Sequence, residues 1–261
     1  MSVEAGSQVV LTKPVRQPGQ RRSLGSYLAM PLILAAICLA MYLYVATKDL
    51  DSIEARALSP QRLGTALWQH IQLTVVSTAL TLIIAVPLGI LLTRGFMRRV
   101  QPVLITVLTL GQAIPTIAIL VLLAVAFLFL GFKAAIVGLV AYAIVPVLLN
   151  TMVGLDQVDR AVLEAGRGMG MSSWTVLWRL ELPLAVPVIL AGIRTALVIN
   201  VGTAALVTYI NAGGLGDIIV AGLSTNRFTI QIVGAGLTAV LALAVDYLAG
   251  IAEDLLRPRG L

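Results

Sequence analysis

Apolar residues along this chain gather in unbroken runs of about 20, the length that carries an α-helix across the ~30 Å hydrocarbon core of a bilayer. Six runs stand out, at 27–47, 71–92, 103–130, 134–153, 185–209 and 230–250. They predict an all-α, polytopic membrane protein with six transmembrane helices. Residues 1–26 form a polar tail with Lys13, Arg16, Arg21 and Arg22, expected to be disordered to about Gln20. A basic segment before an apolar core is also the plan of a signal peptide. The 27–47 run is longer than the roughly 7–15 residues of such a core, and no clear cleavage site follows, so it reads as an uncleaved anchor.

The third run is too long. Straight, 103–130 would measure about 42 Å, and Gly111-Gln112-Ala113-Ile114-Pro115 offers a place to break. Pro115 has no N–H to donate and displaces the preceding turn. Backbone groups freed at membrane depth are tolerated only against protein or a water-filled cavity. Gln112, Pro115 and Thr116 therefore either line a solute path or mark a kink packed on neighbouring helices.

Composition agrees with the runs. The chain is 59% hydrophobic and 11% charged, against about 25% charged in a soluble domain. The net charge of +6 would suggest nucleic acid in a soluble protein, but its placement gives another account. With the N-terminus inside, segments 1–26, 93–102, 154–184 and 251–261 hold twelve basic residues, against five outside: Lys48, Arg56, Arg62, Lys133 and Arg227. That excess places both termini in the cytoplasm and removes the need for a nucleic-acid partner. Arg194 and Asp246 fall inside the fifth and sixth runs, where charges pair or face a cavity. They either form an ion pair between those helices or snorkel separately to the interface.

Candidate chemistry is sparse. No metal-binding cluster or nucleophile–base pair stands out. No G-x-x-x-x-G-K-[ST] occurs, and none of Lys13, Lys48 and Lys133 follows a glycine, so no recognisable phosphate loop is present. The chain reads as no enzyme by itself. The single cysteine, Cys38, excludes an internal disulfide. The lone histidine, His70, beside Trp68 at the edge of the second run, reads as an interfacial residue. Aromatics are 5% of the chain and do not cluster in sequence. Tyr142, Asn200, Thr203 and Tyr209, read as polar or aromatic positions within runs, are candidates for a pathway, with ordinary helix packing as the competing account.

The segment 154–184, GLDQVDRAVLEAGRGMGMSSWTVLWRLELPL, is the most informative. Asp156 is a plausible N-cap with Asp159 in the first turn. A helix through Glu164 should stop in the glycines 166–170. Ser172 or Ser173 can cap a second helix, on which Trp174, Leu177 and Trp178 share an apolar face. Pro183 and Pro187 mark its end and the return to the membrane. Two short helices joined by a glycine elbow suit a docking element for a cytoplasmic partner, or equally an interfacial hairpin anchored by its tryptophans. In the outside segment 210–229, glycines 213, 214 and 216 allow a sharp turn, and Asp217 can cap a short helix from Ile218 to about Leu223.

Glu164-Ala165-Gly166, then Gly170, then Leu180-Glu181-Leu182-Pro183 resembles the EAA loop of type I ABC importer permeases: E-A-A, three residues, G, nine residues, I, one residue, L-P. Every spacing matches; Gly166 stands for the second alanine and Leu180 for the isoleucine. GQAIPTIAIL at 111–120, residues 164–202, and NAGGLGDII at 211–219 are similar to the branch that handles glycine betaine, carnitine, choline or proline betaine. The likeness spans about 65–255. It implies a permease domain over 65–255, a core of five helices behind an N-terminal anchor helix, and a 164–183 loop that docks on the ATP-hydrolysing subunit. Its further implications are two such cytoplasmic subunits carrying ATP and Mg, a second permease copy or homologous permease, and an extracytoplasmic substrate-binding protein, all at the inner membrane of a prokaryote. No cofactor is expected on this chain. An ion-gradient-driven secondary transporter and a non-transporting membrane scaffold are the rival readings, and neither accounts for the EAA spacing.

Overall fold

The computed structural model describes residues 24–97 and 99–256. Most of the predicted tail 1–26 lies outside the described residues, as do Arg98, Arg257 and Arg259. Helix α1 runs Leu24–Ala46. A short α2, Ser52–Ala57, follows a capping box in which Asp51 accepts from the backbone of Glu54 and Glu54 reaches back. Helix α3, Pro60–Leu92, opens with Pro60 at a first-turn position where no N–H is missed. It begins eleven residues before the predicted 71, because its first turns carry Gln61, Arg62 and Gly64 and escape an apolar-run criterion.

The chain continues through α4, Gln101–Gln112, and α5, Thr116–Ala126, the two meeting at 88°. Helix α6, Gly131–Asp156, leads into α7, Arg160–Gly168, and α8, Ser173–Val176. A π-helical turn at Leu177–Glu181 joins α8 to α9, Leu182–Ala204. A 3₁₀ turn at Leu206–Ile210 precedes α10, Gly216–Ser224, and α11, Phe228–Leu256. Among the described residues no strand occurs.

Five of these helical stretches are long and apolar enough to cross a membrane, with the α4–α5 pair as a sixth. The core clusters show that the bent pair runs from one end of the bundle to the other. Leu104, Ile105 and Leu108 of α4 pack with Leu92 and Met152 at one end of the bundle, whereas Leu120 of α5 packs with Ile136, Val207 and Ile210 at the other. The six crossings return the chain to the side it began on, and the Tyr247 hydroxyl donates to the Tyr27 carbonyl at 2.6 Å, setting the start of α1 beside the end of α11.

Helices α3, α6 and α9 form the centre. They approach closely through small residues, the general device for packing helices in lipid. A Cβ on Gly192 would lie 2.9 Å from the Pro146 carbonyl, and one on Gly154 3.1 Å from the Ala185 carbonyl.

Candidate coupling loop and polar core

The loop after α6 forms as two short helices around a glycine elbow, but its caps differ from expectation. Asp156 ends α6 instead of capping the next helix. Asp159 is the N-cap of α7, accepting from Ala161 N–H at 2.9 Å. Helix α7 continues through Gly168, and Gly170 then takes φ +83°, the left-handed turn that glycine adopts without strain. The Ser172 hydroxyl caps α8 by accepting from Thr175 N–H.

Neither Pro183 nor Pro187 ends the helix. Ser173–Ala204 is helical throughout, because the backbone widens just before Pro183. Leu182 N–H bonds to the Leu177 carbonyl five residues back. The wider turn makes room for a ring that would clash with the carbonyl four residues earlier in α-helical backbone.

The family-pattern residues divide by exposure. Glu164, Ala165, Gly170 and Pro183 face outward, Leu180 and Leu182 are half-buried, and Gly166 is buried. A Cβ at 166 would stand 2.6 Å from Leu180 Cδ1. The two departures from the family pattern thus touch: Gly166 leaves the space that the longer reach of Leu180 enters. Trp174, Leu177 and Trp178 do not share a buried face. Leu177 and Val176 point inward, while Trp174 is 68% and Trp178 54% exposed, their rings edge-to-face at 5.6 Å. The two tryptophans keep to one side of the helix, but that side faces outward, and it is Leu177 with Val176 that meets the protein.

Sequence reasoning also missed the contact that fastens this loop to the membrane helices. Arg94, just past the end of α3, donates from Nη2 to Glu181 Oε2 at 2.6 Å and from Nη1 to Oε1 at 3.3 Å, and from Nε to the Ile90 carbonyl. The Glu181 side chain is 7% exposed. The only available signal was an acid at the variable position of the Leu-Pro segment and a base closing an apolar run.

Arg194 and Asp246 come together: Nε to Oδ1 is 2.5 Å and Nη2 to Oδ2 is 2.7 Å, with Glu253 3.7 Å from Nη1. Each side chain of the close pair is about one-third exposed, and the pair ties α9 to α11.

The candidate pathway residues do not converge. Gln112, Pro115 and Tyr142 meet at the α4–α5 corner, where two prolines are answered reciprocally. Pro146 has no N–H for the Tyr142 carbonyl, and Gln112 Nε2 donates to that oxygen at 2.9 Å. The break at Pro115 frees carbonyls of the preceding turn, and the Tyr142 hydroxyl reaches those of Ile114 at 2.5 Å and Gln112 at 3.0 Å. These polar groups are committed to one another. Thr116 is buried at the start of α5. Asn200 is fully buried, its Nδ2 donating to Thr78 Oγ1 at 2.9 Å, while its Oδ1 and the nearby Thr74 hydroxyl have no hydrogen-bond partner. Thr203 bonds back to the Ile199 carbonyl in its own helix. Tyr209 lies in the 3₁₀ turn beyond α9, 51% exposed, outside the span predicted to hold it.

His70 is not interfacial. It is fully buried; Nε2 lies 2.9 Å from the Val201 carbonyl, and Nδ1 accepts from Leu215 N–H at 3.2 Å. Accepting at Nδ1 leaves the hydrogen on Nε2, which donates to Val201. With Gln69, which accepts from Gly214 N–H, it clamps the glycine turn to α3. Gly213 and Gly214 take φ of +80° and +99°. Asp217 does not cap α10; it accepts from the Thr208 hydroxyl. Among the described residues no group of side chains could hold a metal ion.

Comparison with known proteins agrees with this architecture. Residues 85–258 match the family described as binding-protein-dependent transport system inner membrane component. The carnitine transport permease protein OpuCD of Listeria monocytogenes is 42% identical over 192 residues, covering 73% of this chain and 85% of the relative. The glycine betaine/carnitine/choline transport system permease protein OpuCB of Bacillus subtilis is 37% identical over 193 residues, covering 74% and 88%. The osmoprotectant import permease protein OsmW of Salmonella typhimurium is 34% identical over 216 residues, covering 81% and 100%. An inward-facing structure of the MetNI methionine ABC transporter superposes with a TM-score of 0.66 at 23% identity, over 75% of this chain and 96% of that one.

Proposed function

We propose, since this chain belongs to the family of binding-protein-dependent transport system inner membrane components, that it is the permease through which an ATP-driven importer moves a small osmoprotectant. The solute class is glycine betaine, choline or carnitine, which the names of its relatives carry, with proline betaine as a further member of the same chemical class. The observation that carries the reading is the loop itself. Glu164, Gly170 and Leu182-Pro183 keep the family spacing, and the loop stands exposed at one end of the bundle while Glu181 grips the end of α3.

Two ATP-binding subunits dock on the 164–183 loops of this chain and of a second permease, either another copy or a homologue. ATP and Mg sit on those subunits; this chain supplies no nucleotide site. Displacement of the loop is delivered to α9 through continuous helix and to α3 through Arg94. An extracytoplasmic binding protein selects the solute and releases it at the opposite end, near the 211–216 turn. The loop end and both termini are cytoplasmic, in the inner membrane of a prokaryote.

The test is purification from the native membrane followed by reconstitution. An ATP-binding subunit should co-purify, and ATP inside the vesicles with the binding protein outside should drive uptake of radiolabelled betaine, choline or carnitine. Uptake that is indifferent to ATP and abolished by an uncoupler would overturn the reading.

A further inference from the structure

The end of the bundle opposite the 160–181 loop carries Arg56 in α2, Arg62 in the first turn of α3 and Arg227 on the α10–α11 connection. Arg227 is answered by Asp51 at 2.6 Å. Arg56 and Arg62 form no ion pair among the described residues. Both line one cavity of about 210 Å³, together with Ser52, Thr225 and, on its inner wall, Ile230. A second, apolar groove of about 350 Å³ lies between α1, α3 and α11, lined by Cys38, Val45, Leu58, Leu63, Val233 and Leu237 among others.

The two cavities are in line. Ile230, Val233 and Leu237 fall at i, i+3 and i+7, one stripe of α11 running from the charged cavity into the apolar groove. Arg62 and Leu63 are consecutive on α3, and Ala57 and Leu58 at the end of α2. A pair of guanidinium groups with no ion-pair partner among the described residues, beside an apolar groove, matches an amphiphile with an anionic head.

We propose that this is a phospholipid site. The phosphate sits between Arg56 and Arg62, the Ser52 and Thr225 hydroxyls meet headgroup oxygens, and one acyl chain fills the groove. Two guanidinium groups outweigh a single phosphate charge, so an anionic lipid such as phosphatidylglycerol is preferred over phosphatidylcholine. The site serves α1, whose spanning window contributes no buried residue and whose outer half leaves a wedge against α3. A lipid in that wedge joins the anchor helix to the core.

The proposal is tested on the purified full-length protein by native mass spectrometry and by the reactivity of Cys38, the only cysteine, which is exposed in the groove. Phosphatidylglycerol should be retained over phosphatidylcholine and should slow modification of Cys38 by a pyrene maleimide. The R56Q/R62Q double variant should lose retention roughly thirtyfold, from about a charge–headgroup contact each, and lose the protection. C38W, which plugs the groove and leaves the arginines in place, should also lose retention. Inorganic phosphate at millimolar concentration should not displace the lipid. Equal retention of the two lipids, or unchanged retention in the double variant, would overturn the proposal. So would a C38W protein that keeps its lipid but dissociates from a second copy, since a helix of that copy would then be the occupant.

Discussion

Glu181 and Arg94, 87 residues apart in sequence, meet in a two-pronged ion pair that fastens the 164–183 loop to the end of α3. Because Glu181 is nearly buried, removing its partner leaves a poorly solvated carboxylate, a loss of about 3 kcal/mol in comparable buried pairs. R94Q and E181Q should each lower the thermal midpoint of the purified protein and reduce transport more than expression. The R94E/E181R exchange should recover part of both. Thermal unfolding and vesicle uptake measured on the same preparations check this; an exchange no better than either single variant would remove the pair from the coupling route.

Arg194 and Asp246 form the second cross-link, between α9 and α11. Glu253 lies 3.7 Å from the same guanidinium, so the loss of either member of the close pair has unequal consequences. D246N leaves Arg194 a weaker acidic neighbour, Glu253, whereas R194Q takes the guanidinium away from both carboxylates. R194Q is therefore expected to be the more damaging variant, and R194D/D246R to restore assembly in part. Yield of monodisperse protein in mild detergent distinguishes the cases.

These two pairs show what the sequence made legible. Spans are written plainly because lipid forbids unpaired backbone polarity, so six apolar runs gave six crossings and the overlong third run betrayed its corner. A charge inside a span has few possible partners, which made an Arg194–Asp246 pair one of two readings, beside separate snorkelling, and the structure takes the pair. Arg94 flanks a run among several other bases, and nothing local ties it to position 181. His70 illustrates the same limit from the other side: at the edge of an apolar run a histidine looks interfacial, and only the return of the 211–216 turn over α3 buries it. The extra turns of α3 and the π-turn before Pro183 were hidden because polar first turns and helix widening leave no hydropathy signature.

Tyr142 should act through the corner and not through a solute. Its hydroxyl saturates carbonyls freed by the break at Pro115, so Y142F forfeits about 1–2 kcal/mol of stability with no change in ring volume. Solute affinity measured as the half-saturating concentration for uptake should stay within about twofold of wild type, a difference under 0.5 kcal/mol. A selective rise in that concentration, with stability intact, would instead place Tyr142 on the path.

Gly216 is expected to be the least replaceable glycine of the outer turn. A Cβ there would lie 2.0 Å from the Ala205 carbonyl oxygen, which is backbone and cannot swing aside, whereas Gly202 on the neighbouring helix has nothing within 4 Å. G216A should therefore lower stability by at least about 3 kcal/mol, beyond the usual cost of overpacking. G202A should be neutral or slightly stabilising, since alanine favours helix by about 1 kcal/mol over glycine. Thermal unfolding of the two variants side by side gives the comparison.

The exposed face of the loop sets the last prediction. Glu164 is exposed on α7 and forms no ion pair among the described residues, so its charge is presented to a docking surface, while Gly170 is fixed by its φ of +83°. E164K reverses that charge without touching the fold of the loop. G170P demands φ near −65° and must rebuild the elbow. Both should insert and purify as membrane proteins. E164K should bind the ATP-hydrolysing subunit normally or slightly weaker yet lose solute-stimulated hydrolysis, and G170P should lose the docking itself. If either variant kept full solute-stimulated hydrolysis in reconstituted vesicles, motion would have to reach α3 and α9 by a route other than the elbow between α7 and α8.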